Sequence, residues 1–294
     1  MKAALLPLVL LSVNPATETK APPEALATAQ ASAAYNLSVE APWDATTRSS
    51  DPGTLQLHIS ERKGSSLGVS VKLTELEGLT TADLDSGKPV TFRLRREAGI
   101  VTFSGRFRDG KGEGMLRYDG DAGYWSRIAA MGVQNDWDQS RYQLLALPLL
   151  DVRTDYIAAL RREGALASLS AYVGMKAVGV APEMVREVRP LVEGPLKAQD
   201  LMSFAALGVT ADYARGMRTV FSSTKASELS SMRALGVTSD YVAEMRSAGA
   251  RIRTAGDAQS FRALGISPAA VKRAVARGKP NPSVSDVMEM NVRY

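Results

Sequence analysis

The sequence has 294 residues with no cysteine and one histidine, and its 36 basic and 31 acidic residues leave a net charge of +5. A chain of this length can bury a core without cross-links and is typical of two domains. The absence of cysteine excludes disulfides and thiolate metal sites, and one histidine is too few for a histidine zinc site. The basic excess is small and forms no run, so we expect no nucleic-acid partner, no metal and no cofactor.

The chain begins with a positive residue, Lys2, followed by the apolar run Ala3–Val13, which is the order of a secretory signal peptide. The run is too short to span a membrane as a stable helix. We therefore predict a signal peptide and processed lead-in over residues 1–33 and a flexible linker over residues 34–53. The mature protein is expected to be periplasmic or secreted, with no transmembrane segment.

Residues 54–120 are expected to form a small antiparallel β-domain. Thr54–Ser60 alternates apolar and polar residues, as a half-buried strand does, and Val90, Phe92 and Leu94 share one face of another strand. The dipeptide Asp109-Gly110 is a strong signal for a tight hairpin turn. The pattern predicts five or six strands.

The second half of the sequence is repetitive. One short motif occurs six times, with its central position at Gly132, Asp151, Gly179, Gly208, Gly236 and Gly265. The last four steps are 28 or 29 residues and the first is 19. A fixed period of this size indicates a repeat architecture. The fold class is therefore α+β, with helical repeats over residues 121–278 and a C-terminal tail of unassigned structure over 279–294.

Each repeat is predicted to be a pair of short helices. In the first helix apolar residues recur three apart, as in Leu201, Phe204 and Leu207, and we expect all three on the buried face. The central glycine ends this helix with positive φ, and Thr210 caps the second helix. Tyr213 and its equivalents are interpreted as packing wedges between units. Stacked units would then form a short α-solenoid.

Motifs that could carry catalysis are few. Gly64–Gly68 fits the nucleophile-elbow pattern around Ser66, and Ser222-x-x-Lys225 fits a serine–lysine nucleophile, as does Ser60-x-x-Lys63. His58 is expected at the surface of a strand, and Asp119-x-Asp121 is expected to be a turn because it lacks further calcium ligands. We therefore expect a non-enzymatic protein and keep a serine hydrolase acting through Ser66 or Ser222 as the alternative.

One basic residue recurs at the same register of four successive units. It lies five residues after the wedge position, near the end of the second helix: Arg161, Arg189, Arg218 and Arg246. A base at this end complements the helix dipole, which is a structural interpretation. The functional interpretation is an exposed column that binds a protein or an anionic envelope polymer, and the prediction of partner-binding residues rests on it.

Two phrases together, Phe103–Gly114 and Ser231–Val242, resemble an uncharacterised bacterial extracytoplasmic module. That module is sometimes appended to membrane metallopeptidases of the β-lactam-sensor type, and the likeness covers about residues 88–275. The peptidase half is absent here, so the resemblance implies no catalytic residue. It implies a protein-interaction or sensing role in the bacterial envelope.

Overall fold

The computed structural model describes residues 38–48, 51–60, 66–137 and 141–292. The predicted signal peptide and lead-in, residues 1–33, lie outside these ranges. Within them the protein is α+β, with one curled antiparallel sheet followed by a series of short helices.

The sheet contains seven strands in the order β3-β2-β1-β7-β6-β5-β4, and all neighbouring pairs are antiparallel. Their bounds are β1 Val39–Arg48, β2 Asp51–Ser60, β3 Ser66–Lys72, β4 Leu76–Glu77, β5 Pro89–Arg96, β6 Gly99–Arg108 and β7 Lys111–Gly120. Short 3-10 helices occur at Leu73–Glu75 and Thr81–Asp85.

The segment predicted as a flexible linker, residues 34–53, contains β1, which lies inside the sheet between β2 and β7. The reason is a two-residue alternation that buries Val39, Ala41, Trp43 and Ala45 on one face. The β-domain therefore begins well before residue 54.

The sheet curls until strands that are not neighbours touch across its inner face. The Trp43 ring on β1 lies 5.5 Å from Phe92 on β5 and 5.8 Å from Phe103 on β6, centroid to centroid. Gly105 and Gly114 face each other in the intervening strands, and a Cβ on Gly105 would lie 2.7 Å from the Trp43 ring. The curl therefore depends on the absence of side chains at this glycine pair.

The helices begin directly after β7. In chain order they are α1 Ala122–Ala130, α2 Arg141–Leu144, α3 Ala146–Leu149, α4 Thr154–Arg162, α5 Leu169–Ala177, α6 Pro182–Val188, α7 Ala198–Leu207, α8 Ala211–Val220, α9 Ala226–Ala234, α10 Ser239–Ser247, α11 Ala255–Ala263, α12 Pro268–Ala276 and α13 Val284–Val292. A 3-10 turn, Arg189–Leu191, follows α6.

From α4 onward the helices form two layers. Helices α5, α7, α9, α11 and α13 pack in succession in one layer, and α4, α6, α8, α10 and α12 do so in the other. This is the expected solenoid, in which each unit contacts its neighbours. The predicted tail, residues 279–294, contributes α13, which packs against α11 and α12 and so covers the last unit.

The left-handed turn predicted at the centre of each motif is present in all six copies. The five glycines have φ between 64° and 78°, and Asp151 has φ 51°. The first copy departs from the hairpin pattern because no helix follows Gly132 directly. Residues 133–137 run as a loop instead, and Asp136 caps α5 by accepting hydrogen bonds from the backbone and hydroxyl of Ser170.

The sheet and the helices are joined by carboxylates at the β5–β6 turn and at the Asp151 turn. Glu97 accepts a hydrogen bond of 2.9 Å from the backbone N–H of Thr154 at the start of α4, and lies 3.1 Å from Arg127 on α1. Arg96 lies 3.6 Å from Asp151 and 3.1 Å from Glu75. The first solenoid helix is thus capped by a side chain of the sheet.

Candidate interaction surface

The solenoid has two edges, formed by the turns within units and by the loops between units. Eight large hydrophobic side chains are exposed in the described part of the chain, and four of them share one register on the within-unit edge. We call these four the aliphatic row: Val178, Leu207, Leu235 and Leu264, whose exposed fractions are 41, 39, 38 and 54%. Exposed hydrophobic residues scattered singly need no explanation, whereas repetition at one register does.

Sequence periodicity predicted these leucines on the buried face, and that prediction is wrong. Leu201 and Phe204 are fully buried, but Leu207 is not. Three residues turn an α-helix by about 300°, so two such steps leave the third residue about 120° away from the first. An exposed alanine also precedes each member of the row, as Ala206 precedes Leu207. The aliphatic side chain therefore projects beside a small residue.

Two arginines are fixed next to the row. Arg233 donates from Nε to the carbonyl of Leu207 at 3.3 Å, and Arg262 donates in the same way to Leu235 at 3.2 Å. Each arginine belongs to the unit after the leucine that it contacts. Their guanidinium groups also lie over the rings of Tyr213 and Tyr241, 5.1 and 4.9 Å from the centroids.

The same cation–aromatic contact explains a variation among the repeats. Lys176 lies 4.9 Å from the centroid of Tyr156. Where the wedge is Met184 instead of tyrosine, the equivalent position of the next unit is Ala205. From α4 onward, cation and ring are therefore present together or absent together, as expected if the contact between units stabilises both.

Acidic residues lie one position before each wedge, at Asp155, Glu183, Asp212 and Asp240. Asp155 pairs with Arg153 of its own unit, and Asp212 pairs with Arg215. Both pairs are mostly exposed and contribute little to stability. The guanidinium groups of Arg233 and Arg262 form no ion pair with a carboxylate among the described residues.

The wedge interpretation of the tyrosines is confirmed. Tyr156, Tyr213 and Tyr241 are half-buried and pack against the core. The hydroxyl of Tyr156 donates to the carbonyl of Val180, which belongs to the next unit, at 2.9 Å. Burial raises the pKa of Tyr213 to about 12, against the opposing effect of the Arg233 cation.

The predicted arginine column lies on the other edge, at the ends of the second helices. Arg189 and Arg218 are exposed, whereas Arg161 and Arg246 are half-buried. Arg218 donates to the carbonyl of Pro190 at 3.0 Å, and Arg246 donates to that of Ile252 at 3.0 Å.

Each of the last three column members also reaches the unit before it. A Cβ on Gly164 would lie 3.0 Å from the Arg189 guanidinium, and Arg218 bonds Pro190 as described. Arg246 lies over Phe221, 5.4 Å from its centroid. These contacts give the column a structural role at helix ends, and partner binding by the column stays a prediction.

The two candidate nucleophiles occupy different surroundings. Ser222 and Lys225 are exposed and line a groove with Glu193, Glu228 and Arg253. A serine–lysine nucleophile needs a desolvated lysine, which this groove does not provide. Asp121 caps α1 and Asp119 pairs with Arg117, as a turn before a helix would have them.

Ser66 is the first residue of β3 and is exposed, while Lys63 and Gly64 lie outside the described residues. It shares the outer face of the sheet with His58, which pairs across the strands with Gly68, two residues further along β3. His58 Nδ1 lies 3.4 Å from a carboxylate oxygen of Asp44. Sequence reasoning missed this pair because it depends on strand register.

Two further features are absent from the described ranges. No cluster of three or more His, Asp or Glu side chains there could hold a metal ion. None of the helices described has the length and apolarity that a membrane span requires.

Comparison of the chain with protein-family models, with curated proteins and with solved structures finds no match.

Proposed function

We propose that this chain is a non-enzymatic protein-interaction module that holds a partner on the within-unit edge of its solenoid. The observation that supports this most is the aliphatic row, four exposed side chains at one register of four successive units. Solenoids commonly bind partners along such repeated surfaces. Exposed apolar side chains repeated along one edge and flanked by polar groups are typical of a protein–protein contact.

Two features of the sequence support a cellular setting for this interaction. The apolar run Ala3–Val13 after Lys2 supports export, and the resemblance described above supports a role in the bacterial envelope. An intact mass of the protein expressed in a bacterium tests export. Loss of roughly 16 to 33 N-terminal residues is expected, and an intact chain in the cytosol would contradict it.

Site-specific photo-crosslinking tests the interaction surface. A photoreactive phenylalanine analogue is placed in turn at Leu207, Leu235 and Leu264, and the full-length protein is irradiated in cells. The matched controls are Ala243 and Ala276, which are exposed on the second-helix layer. We expect one common partner from the three row positions and none from the controls. Identical crosslinked products from the row positions and the control positions, or no product from the row positions, would reject the proposal.

Hydrolysis through Ser66 is the second candidate function, and the Asp44–His58 pair on the same face of the sheet favours it. A carboxylate that orients a histidine is the supporting part of a serine triad. No hydrogen bond joins Ser66 to His58 within the described residues, and both side chains of the pair are more than half exposed. Labelling of the pure protein by a fluorophosphonate, lost in Ser66→Ala, would establish it. Unchanged labelling in that variant would exclude Ser66.

A further inference from the structure

We infer that the partner on the aliphatic row is an acidic amphipathic α-helix lying along the solenoid axis, an inference that rests on the proposed function. Leucines or similar residues of the partner helix would contact Leu207 and Leu235, and carboxylates of the partner helix would bind Arg233 and Arg262.

The spacing of the row fits a helix. Stacked helices lie about 8–10 Å apart, so successive row members are separated by about that distance. In an α-helix, residues seven apart lie on the same face and are separated by about 10 Å along the axis. An extended strand repeats on one face every 7 Å, roughly, and would fall out of step with the row. A helical partner can therefore place one aliphatic side chain against each unit.

The backbone of the edge also favours a helix. The carbonyls of Leu207 and Leu235 already accept hydrogen bonds from Arg233 and Arg262. Each carbonyl keeps a second lone pair, but the units offer these acceptors singly at helix ends and not as the continuous strand edge with which an extended peptide pairs. A helix satisfies its backbone internally and needs only side-chain contacts, which the row supplies.

The charge next to the row points to an acidic partner. Arg233 and Arg262 each use Nε for the carbonyl bond, which leaves their terminal nitrogens to bind a carboxylate in a forked geometry. Both groups are held in place by that bond and by the ring beneath them, so little further ordering is needed on binding. The exposed acids Asp212 and Asp240 lie on the second helices, and Asp212 is already paired with Arg215.

A designed peptide tests the inference with the full-length protein. The probe is a fluorescein-labelled helix of about three heptads with one leucine in every seven residues and glutamates beside the leucine stripe. A second peptide has lysine in place of every glutamate. We expect the glutamate peptide to bind at least tenfold more tightly than the lysine peptide, with a preference that weakens as salt increases. Equal affinities, or no binding of the glutamate peptide, would overturn the inference.

Variants separate charge from apolar contact. Arg233→Gln with Arg262→Gln should weaken binding of the glutamate peptide roughly tenfold, as expected for the loss of two charge pairs at the rim of an interface. Arg233→Lys with Arg262→Lys should recover only part of the affinity, because lysine keeps the charge but lacks the forked donors and the Nε bond to the carbonyl. The control Lys272→Gln with Arg273→Gln removes the same charge from the exposed side of α12 and should change nothing. An equal loss in the control would mean that net charge alone attracts the peptide, which would contradict the inference.

Leu207→Ser with Leu235→Ser should abolish peptide binding, and circular dichroism should be unchanged because both side chains are exposed. Sedimentation velocity identifies a competing occupant. If the protein is a dimer that dissociates in this serine variant, the aliphatic row binds a second copy of the chain. That result would overturn the inference of a helical partner. Crosslinking from the row in cells without charge-dependent peptide binding would leave the proposed function in place and remove only this inference.

Discussion

The hydroxyl of Tyr213 donates a hydrogen bond of 2.9 Å to the backbone carbonyl of Val237, in the next unit of the solenoid. The equivalent tyrosine one unit later, Tyr241, has a buried hydroxyl with no hydrogen-bond partner in the described structure. The two tyrosines occupy the same register, and each has its own arginine over the ring. They differ in the hydrogen bond of the hydroxyl, so they form an internal comparison.

Replacement of each tyrosine by phenylalanine measures that bond. Tyr213→Phe should lower the free energy of unfolding by about 0.5–1.5 kcal/mol, because it leaves the Val237 carbonyl without its donor. Tyr241→Phe should be neutral or slightly stabilising, since it removes a buried polar group that makes no bond. Urea midpoints of the two variants provide the measurement. Equal losses would show that the hydroxyl of Tyr241 is also bonded.

Asp151 stands where the other five units have glycine, with φ 51°. Asp151→Ala should destabilise the protein by about 1–2 kcal/mol, because it keeps the left-handed strain and loses the contact with Arg96. Asp151→Gly removes both the strain and the contact, so its stability should lie within about 0.5 kcal/mol of the parent. Thermal unfolding of the two variants distinguishes them. Equal Tm values would mean that backbone strain at this turn is negligible.

Glu97 joins the sheet to the first solenoid helix. Glu97→Ala removes the cap of α4 and the pairing with Arg127, and it should cost about 1–3 kcal/mol. Glu97→Gln keeps one acceptor and should cost less. Glu113→Gln is a matched control, because Glu113 is exposed and makes no ion pair with another described residue. A loss in urea stability as large in the control as in Glu97→Gln would contradict the capping role.

The wedge tyrosines also predict how stability depends on alkaline pH. An unfolded tyrosine ionises near pH 10, approximately, whereas burial raises the pKa of Tyr213 to about 12. The neutral form is favoured in the folded state, so this contribution is fully present below about pH 10 and is lost as pH rises toward 12. The urea midpoint should fall across that window. Tyr213→Phe should show a shallower fall, and an identical slope would exclude a contribution from this tyrosine.

The elements that the sequence predicted well depend on local chemistry. A glycine after an apolar helix specifies a left-handed turn within a few residues, and Gly208 and Gly236 adopt it with φ 68° and 69°. Thr210 and Thr238 cap the following helices, as N-cap residues do. These turns and caps can be predicted without knowing which units pack against each other.

The features that the sequence did not reveal depend on long-range geometry. The alternation in β1 is carried partly by small residues, Ala41 and Ala45, and is interrupted by Pro42, so it did not stand out from the lead-in. The contacts of Arg233 with Leu207 and Tyr213 cross from one unit to the one before, and no spacing within a unit shows them. The Asp44–His58 pair likewise requires the register of two strands.

The position of β1 inside the sheet has a consequence for how the chain folds. β1 pairs with β7, so Val39 meets Tyr118 and the sheet cannot close until residues far apart in sequence have met. The solenoid units form contacts with their immediate neighbours, which have low contact order and fold quickly. We expect the helical half to gain structure first after dilution from denaturant and the sheet to supply the slow kinetic phase. The fluorescence of Trp43 would report that slow phase, because its ring is enclosed only when the two ends of the β-domain have come together.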